Sequence, residues 1–360
     1  MILKKYQNYI IKTFLKNFLI VSLIFLSISF ILNIFEEIKF FEKFEIDFYY
    51  PIFLTLLNVP TILLEIFPFI FLISTKFFFI NLNDKNEMDI LKNNGIKNSN
   101  ILFILVCLSV LIGLFFLVFY YTVSSNLKSS YLNFKNNFSN DNKYLAVVNE
   151  NGLWIKEEID DFSNIIHAEK FKSNSLENIY ITQVNSDYSS KKSLIAKKAN
   201  LKEKTWILYD VKFIEQEKRA KFFDKYEYKS SFDGQIISNL FSNLNSLNIY
   251  QLYELYKNYS KIGYSTTEVS MHLQKLIGMP IYFTLMTILG FIIIIKVKFL
   301  TSKIFTVIIG VSVSVIVYYL NYFSNIFGIN ETVPTYISVW IPLLILFLIC
   351  TYGMIKLNET

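Results

Sequence analysis

Six runs of about 20 apolar residues constrain the fold of this chain more than any other feature. They lie at about 14–35, 52–80, 101–123, 277–295, 304–327 and 336–355. A helix of this length crosses the hydrocarbon core of a bilayer, which is ~30 Å thick. Hydrophobic residues make up 53% of the 360 residues and aromatic residues 18%, a composition far more apolar than that of globular proteins. The sequence therefore predicts a polytopic membrane protein with six transmembrane helices.

The lysines that flank these runs predict the orientation. One set lies before run one, between runs two and three, between runs four and five, and after run six: Lys4, Lys5, Lys12, Lys16, Lys85, Lys92, Lys97, Lys296, Lys298, Lys303 and Lys356. The short segments on the other side hold only Lys39 and Lys43. Since lysines beside spans stay on the cytoplasmic side, both termini are predicted to be cytoplasmic. The net charge of +6 is then explained by lysines that set the orientation of the spans, and we expect no nucleic-acid partner.

The long segment between runs three and four has a different composition. It is rich in Ser, Asn and Lys and carries alternating runs typical of half-buried strands, namely "YLAVVN", "NIYITQV" and "TWILYDVKFIE". About 150 residues can bury a core of their own. We therefore predict helices 1–3 at 1–123, a β-sandwich or jelly-roll-like domain with a lead-in helix at 124–273, outside the cytoplasmic membrane, and helices 4–6 at 274–360.

The lead-in helix is predicted from the stretch "LNIYQLYELYKNYSKIG". Apolar and aromatic residues recur there at helical spacing, at Ile249, Leu252, Leu255, Tyr256 and Tyr259. We expect this helix to lie near the membrane surface.

Motifs for catalysis or cofactor binding are missing from the sequence. It contains no HExxH, no GxSxG and no GxxxxGK[ST]. His167 and His272 are isolated, which favours solvated surface positions, and Cys107 and Cys350 lie in apolar runs as small fillers. We therefore expect neither an enzyme nor a metal or cofactor site.

The second apolar run contains a carboxylate and two prolines, in "NVPTILLEIFPFIF". A charge in a span costs about 2.5–3.5 kcal/mol, so Glu65 is expected to face the bundle, a cavity or the headgroup zone. Pro60 and Pro68 each remove a backbone hydrogen bond and bend a helix. They are either a packing adaptation or a hinge of a moving transporter.

A polar segment, "NDKNEMDILKNNGIKNSNI", separates runs two and three. Its spacing predicts a short helix within about 84–95 that runs from Glu87 to Asn94, with Gly95 as a left-handed cap. Met88, Leu91 and Ile96 are apolar and need cover in a cytoplasmic loop. Either they pack on the ends of their own bundle, or the helix docks in the groove of a cytoplasmic partner.

Several stretches together resemble the YjgP/YjgQ family, the permease subunits of the lipopolysaccharide export ABC transporter. They are "VPTILLEIFPFIFL" followed by "NEMDILKNNGI", then "ENGLWIK", "AKKANLKEKTWILYDVKF", "LNIYQLYELYKNYSKIG" and "VPTYISVWIPLLILFLICTYGMIK". The resemblance covers essentially the whole chain, and "ENGLW" is more similar to LptG-type than to LptF-type members. It implies six helices with a periplasmic jelly-roll-like domain between helices 3 and 4.

The resemblance also implies partners and site residues. The partners would be a sibling permease of LptF type, two copies of the cytoplasmic ATPase LptB, an LptC-type periplasmic bridge, and lipopolysaccharide as cargo. Glu87 matches the acidic residue near the start of the family's coupling helix and Gly95 the glycine that ends it, while helical spacing adds Met88 and Leu91 as groove-filling contacts.

Basic residues near the outer end of helix one are implied lipid contacts. Lys39 and Lys43 match that role, although Glu36, Glu37 and Glu42 make the segment more acidic than a phosphate clamp requires, and headgroup anchoring is an equal alternative. Two other functions stay open from the sequence: the sibling permease LptF of the same complex, and a membrane-anchored envelope protein whose β domain binds a partner.

Overall fold

The computed structural model describes residues 4–42, 44, 47, 49–136, 138, 153–159, 162–172, 175–184, 190–202, 205–215, 219–230, 243–261, 265–297 and 303–358. The chain divides into two compact units. The first is Met1–Lys128 with Ser270–Thr360, and the second is Ser129–Val269.

The first unit is a bundle of long helices. Its elements are α1 (Lys5–Phe41), α2 (Tyr49–Asp84), α3 (Glu87–Asn93), α4 (Asn98–Phe115), a π-helical segment (Phe116–Tyr120), α5 (Tyr121–Asn136), α7 (Thr267–Val297), α8 (Lys303–Ile329) and α9 (Thr335–Asn358). The last residues of α5 and the first residues of α7 belong to the second unit. Within the described ranges, six helices are long and apolar enough to cross a membrane, with α4, the π-helical segment and α5 forming one of them. The prediction of six transmembrane helices is confirmed.

The centre of the bundle is formed by α2 and α7. In each, 61% of the most apolar window is buried, against 22% in α1 and 17% in α8. Small residues let the helices approach closely: a Cβ on Gly113 would lie 2.6 Å from Pro280 Cα, and one on Gly290 would lie 2.8 Å from the Leu72 carbonyl oxygen. Consequently α1 and α8 carry the broad exposed apolar faces of this unit.

The second unit contains an antiparallel sheet. Its strands are β1 (Leu153–Ile159), β2 (Phe162–Lys172), β3 (Ser175–Val184), β4 (Ser190–Lys202), β5 (Thr205–Glu215) and β6 (Lys221–Lys229), and each pairs with its neighbour in sequence. Two of the predicted strand motifs form β5 and most of β3, whereas "YLAVVN" at 144–149 lies outside the described residues. The inserted β domain is confirmed. A jelly roll has two sheets joined by Greek keys; the described strands form one meander, so that finer topology stays a prediction.

One face of the sheet is buried and the other is exposed. The cross-strand row Ile179, Ala196 and Val211 belongs to the buried face, with at most 2% exposure. Trp206 and Leu208, which are fully buried, extend this face along β5. Side chains alternate along a strand, so the residues between them point to the other side.

The predicted lead-in helix is confirmed as α6 (Ile249–Lys261). Leu252 and Leu255 are buried, while Tyr250 is 69% and Tyr253 51% exposed. That α6 lies near a membrane surface stays a prediction.

Candidate functional site

The short helix α3 has the ends that its sequence predicts. Asn86, just before it, is left-handed with φ 57°, and Gly95, just after it, has φ 78°. The amide of Ile96 donates to the Leu91 carbonyl at 3.0 Å and that of Gly95 to the Lys92 carbonyl at 2.9 Å. This pair of bonds is a Schellman motif, which needs a left-handed residue and therefore favours glycine at position 95.

The apolar side of α3 packs on its own bundle. Met88 is 4% exposed and belongs to the core, and Leu91 and Ile96 are half-buried against that core. Met88 therefore faces the bundle and not the surface, and its role as a groove-filling contact for a partner stays a prediction. The exposed apolar side chain is Ile90, at 57%, because two residues of helix turn it about 200° away from Met88.

A hydrogen bond attaches α3 to the start of α1. The Tyr9 hydroxyl donates to Glu87 Oε2 at 2.5 Å. Two turns further along α1, Asn17 Oδ1 accepts from Asn81 Nδ2 of α2 at 2.6 Å. Glu87, predicted as a partner contact, thus has a partner inside its own chain. No local pattern indicated this contact, because its two residues are 78 positions apart in the chain.

A chain of polar side chains ties three helices together at the bundle end opposite α3. Lys128 Nζ donates to Asn58 Oδ1 at 2.6 Å, Asn58 Nδ2 to Asn33 Oδ1 at 3.2 Å, and Asn33 Nδ2 to Glu36 Oε2 at 3.4 Å. Asn33 and Asn58 are 4% and 6% exposed, so these bonds are sheltered. Lys39 is exposed in the last turn of α1, and Lys43 lies outside the described residues, so the lipid-contact role of both stays a prediction.

Glu65 lies on the exposed surface of α2, toward two lysines of other helices. Its carboxylate interacts electrostatically with Lys275 of α7 and with Lys128 of α5. From Asp84 at the α3 end, Glu65 is 19 residues away, or about 28 Å along a straight helix. That is close to the thickness of a hydrocarbon core, ~30 Å. Two lysines and one carboxylate at such a depth can contact a charged headgroup.

The two prolines of α2 do not interrupt it, since the helix runs unbroken through Pro60 and Pro68. The Tyr120 hydroxyl donates to the Pro60 carbonyl oxygen at 3.0 Å. Tyr120 itself ends the π-helical segment, so this bond joins that segment to α2 at Pro60. Such segments are common at functional sites, and the hinge role of the prolines stays a prediction.

Two polar residues inside the bundle were not anticipated. His272 is half-buried in α7, where its Nε2 is 2.9 Å from the Tyr121 hydroxyl, so it is not the isolated surface residue that was predicted. Lys76 is 1% exposed, and a Cβ on Gly310 of α8 would lie 2.6 Å from its Nζ. The sequence feature that could have drawn attention to Lys76 is its charge within an apolar run. Nothing in the sequence pairs it with Gly310.

The comparison with protein families agrees with this architecture. The family model described as "Lipopolysaccharide export system permease LptF/LptG" matches residues 8–356, which is nearly the whole chain. A search of the curated proteins gives no match. The match spans both sets of membrane helices and the β insertion between them. The chain therefore belongs to the LptF/LptG family of lipopolysaccharide export permeases.

Proposed function

We propose that this chain is the LptG-type permease subunit of an ABC transporter that takes lipopolysaccharide out of the inner membrane and passes it to an LptC-type periplasmic bridge. The family supports lipopolysaccharide export. The energy source is a separate cytoplasmic ATPase, LptB, because the sequence lacks a phosphate-binding loop of its own.

One observation carries the coupling step. The exposed side of α3 presents Ile90, while its other side is held in the bundle by Met88 and by the bond from Tyr9 to Glu87. A helix that is fixed on one face and exposed on the other can transmit a push. ATP binding that favours one conformation of the ATPase would therefore shift the populations of the conformations that the membrane helices adopt.

The bundle also supports a second subunit. The exposed apolar faces of α1 and α8 suit a sibling permease of LptF type, with lipopolysaccharide held between the two bundles. In this arrangement the termini and α3 are cytoplasmic and the β unit is periplasmic, as the lysine distribution favours.

Two other assignments are kept as alternatives. The chain could itself be the LptF-type subunit, which shares the plan. An envelope anchor with a partner-binding β domain would have no use for a docking helix, so α3 favours the permease.

The experiment is co-purification from detergent with two matched variants. Ile90→Asp places a charge on the exposed face of α3, and Ser99→Asp places the same charge on an exposed position of the next helix. Loss of a central apolar contact commonly costs ~2 kcal/mol, about thirtyfold in affinity. We expect Ile90→Asp to lose the ATPase and Ser99→Asp to keep it.

Mass spectrometry of the purified complex separates the alternatives. We expect a second six-span protein of LptF type and bound lipopolysaccharide. A sibling of LptG type would reassign this chain as LptF, and a wild-type chain that brings down neither ATPase nor sibling would favour the anchor.

A further inference from the structure

A cavity opens on the exposed face of the β unit. Its volume is about 530 Å³, within the ~300–1,000 Å³ typical of small-molecule sites. As far as the chain is described, its lining residues belong to β3, β4, β5 and β6.

The strand register arranges eight of the eleven lining residues in two rows, and the other three are Ala196, Val211 and Phe223. Tyr180 pairs with Ile195, Ile195 with Lys212, and Lys212 with Phe222, so one row crosses four strands. The second row stands two residues away along each strand and therefore on the same face. Its members are Asn178, Lys197, Asp210 and Asp224.

The second row lies where the ladder is interrupted. Asn178 and Asp210 both have φ of 52°, a left-handed conformation that costs a residue with a side chain roughly 1–2 kcal/mol. Both Lys197 and Lys198, neighbours on β4, are exposed there. Interruptions of this kind bend a sheet locally, which accounts for a concave site on an open sheet face. Such backbone conformations also cluster at ligand sites.

Three polar groups of the second row have a partner within the sheet, at exposed positions. Lys197 Nζ is 3.5 Å from Asp210 Oδ2, and Asn178 Nδ2 donates to Glu169 Oε2 at 2.6 Å. Lys197 and Lys212 are balanced by Asp210 and Asp224, so the lining carries no net charge. A site balanced in this way has no preference for a polyanion, but it offers both donors and acceptors of hydrogen bonds.

Aromatic rings stand at both ends of the first row. Phe222 is 74% exposed and Tyr180 is 43% exposed. Three strand spacings separate them, or about 14 Å. Exposed rings beside alternating donors and acceptors match the chemistry of sugars, which have an apolar C–H face and hydroxyl groups that both donate and accept.

We propose that this cavity binds a short neutral oligosaccharide, namely part of the sugar portion of the exported glycolipid. The identity of the glycolipid rests on the proposed function; the sugar chemistry rests on the cavity. The β unit would then hold the cargo's sugars on the face opposite its buried apolar face.

The test uses the full-length chain in lipid nanodiscs and, as probe, a short neutral oligosaccharide of hexoses that carries no phosphate and no acidic sugar. Binding is followed by saturation-transfer NMR and titration calorimetry. Losing a stacking ring should weaken binding about tenfold in Phe222→Ala and in Tyr180→Ala. The control is Tyr250→Ala, which removes an exposed ring of α6 that does not line the cavity. Because Phe222 is so exposed, its variant should keep the wild-type circular dichroism spectrum.

The proposal is overturned if the wild-type chain does not bind the oligosaccharide, or if all three variants bind it equally well. Inorganic phosphate serves as competitor: no displacement supports a sugar site, and full displacement overturns it in favour of an anion site. The same preparations are assayed for bound ATPase and lipopolysaccharide. Their presence without oligosaccharide binding contradicts the cavity assignment alone, whereas their absence from the wild-type preparation contradicts the proposed function.

Discussion

The Tyr9 hydroxyl donates a hydrogen bond to the Glu87 carboxylate over 2.5 Å, and this bond joins the first helix of the chain to α3. A second bond, from Asn81 to Asn17, joins α2 to α1 two turns further on, so α1 is bonded both to α3 and to the helix that precedes it. The bond from Tyr9 therefore gives α1, one of the two least buried spans, a direct connection to the helix that is proposed to receive the push.

Tyr9→Phe should uncouple ATP hydrolysis from transport without loss of the ATPase. The substitution deletes only the hydroxyl, and a hydrogen bond to a charged group contributes about 1.5–3 kcal/mol, less when exposed to water. We expect the amount of lipopolysaccharide released per ATP hydrolysed to fall severalfold in proteoliposomes. Tyr6→Phe, on the same helix but without a bond to Glu87, is the control. Equal ratios in the two variants would show that the bond does not transmit movement.

Substitution of Met88 should lower stability, and substitution of Ile90 should weaken ATPase binding. Met88→Ala empties a buried site and should cost about 2–5 kcal/mol, seen as a lower apparent Tm in detergent with the ATPase still bound at low temperature. Ile90→Ala changes an exposed residue, for which the expected change in stability is within ~0.5 kcal/mol, and should weaken ATPase binding. The reverse pattern would mean that α3 turns its other face to the bundle.

Gly310 should be indispensable only while Lys76 is present. A Cβ at position 310 would lie 2.6 Å from Lys76 Nζ and 2.9 Å from its Cδ, and a side chain that is 1% exposed has little room to move. We expect Gly310→Ala to lower the apparent Tm clearly, and Lys76→Ala together with Gly310→Ala to lose less than the sum of the single variants. Strict additivity of the two changes in a double-mutant cycle would contradict this contact.

Glu65 should moderate the attraction of the bundle for anionic lipid. Glu65→Gln leaves Lys128 and Lys275 in place and removes the nearby negative charge, whereas Lys275→Gln removes a positive one. For charges this exposed, the expected change is about two- to fivefold, upward for the first variant and downward for the second, in the lipopolysaccharide that co-purifies. Equal amounts in both variants would exclude these charges from cargo binding.

Local patterns in the sequence were sufficient for the elements but not for their contacts. Hydropathy predicts the six spans, alternation predicts β3 and β5, and Gly95 predicts the end of α3, because each depends on neighbouring residues only. The orientation of α3 does not follow from its sequence, since Met88 and Ile90 are both apolar and the bundle decides which of them is buried. Tyr9 with Glu87, and His272 with Tyr121, are pairs of residues far apart in the chain, and no local pattern marks them.

The central claim is that a separate ATPase drives lipopolysaccharide export through α3, and ATP-dependent release from proteoliposomes tests it most directly. Vesicles would contain the chain with its co-purified partners and lipopolysaccharide, and release to an added periplasmic acceptor would be measured with and without ATP. We predict release only with ATP for the wild-type and Ser99→Asp chains, and none for Ile90→Asp, although its cargo stays bound. Release without ATP, or equal release by Ile90→Asp, would contradict the account.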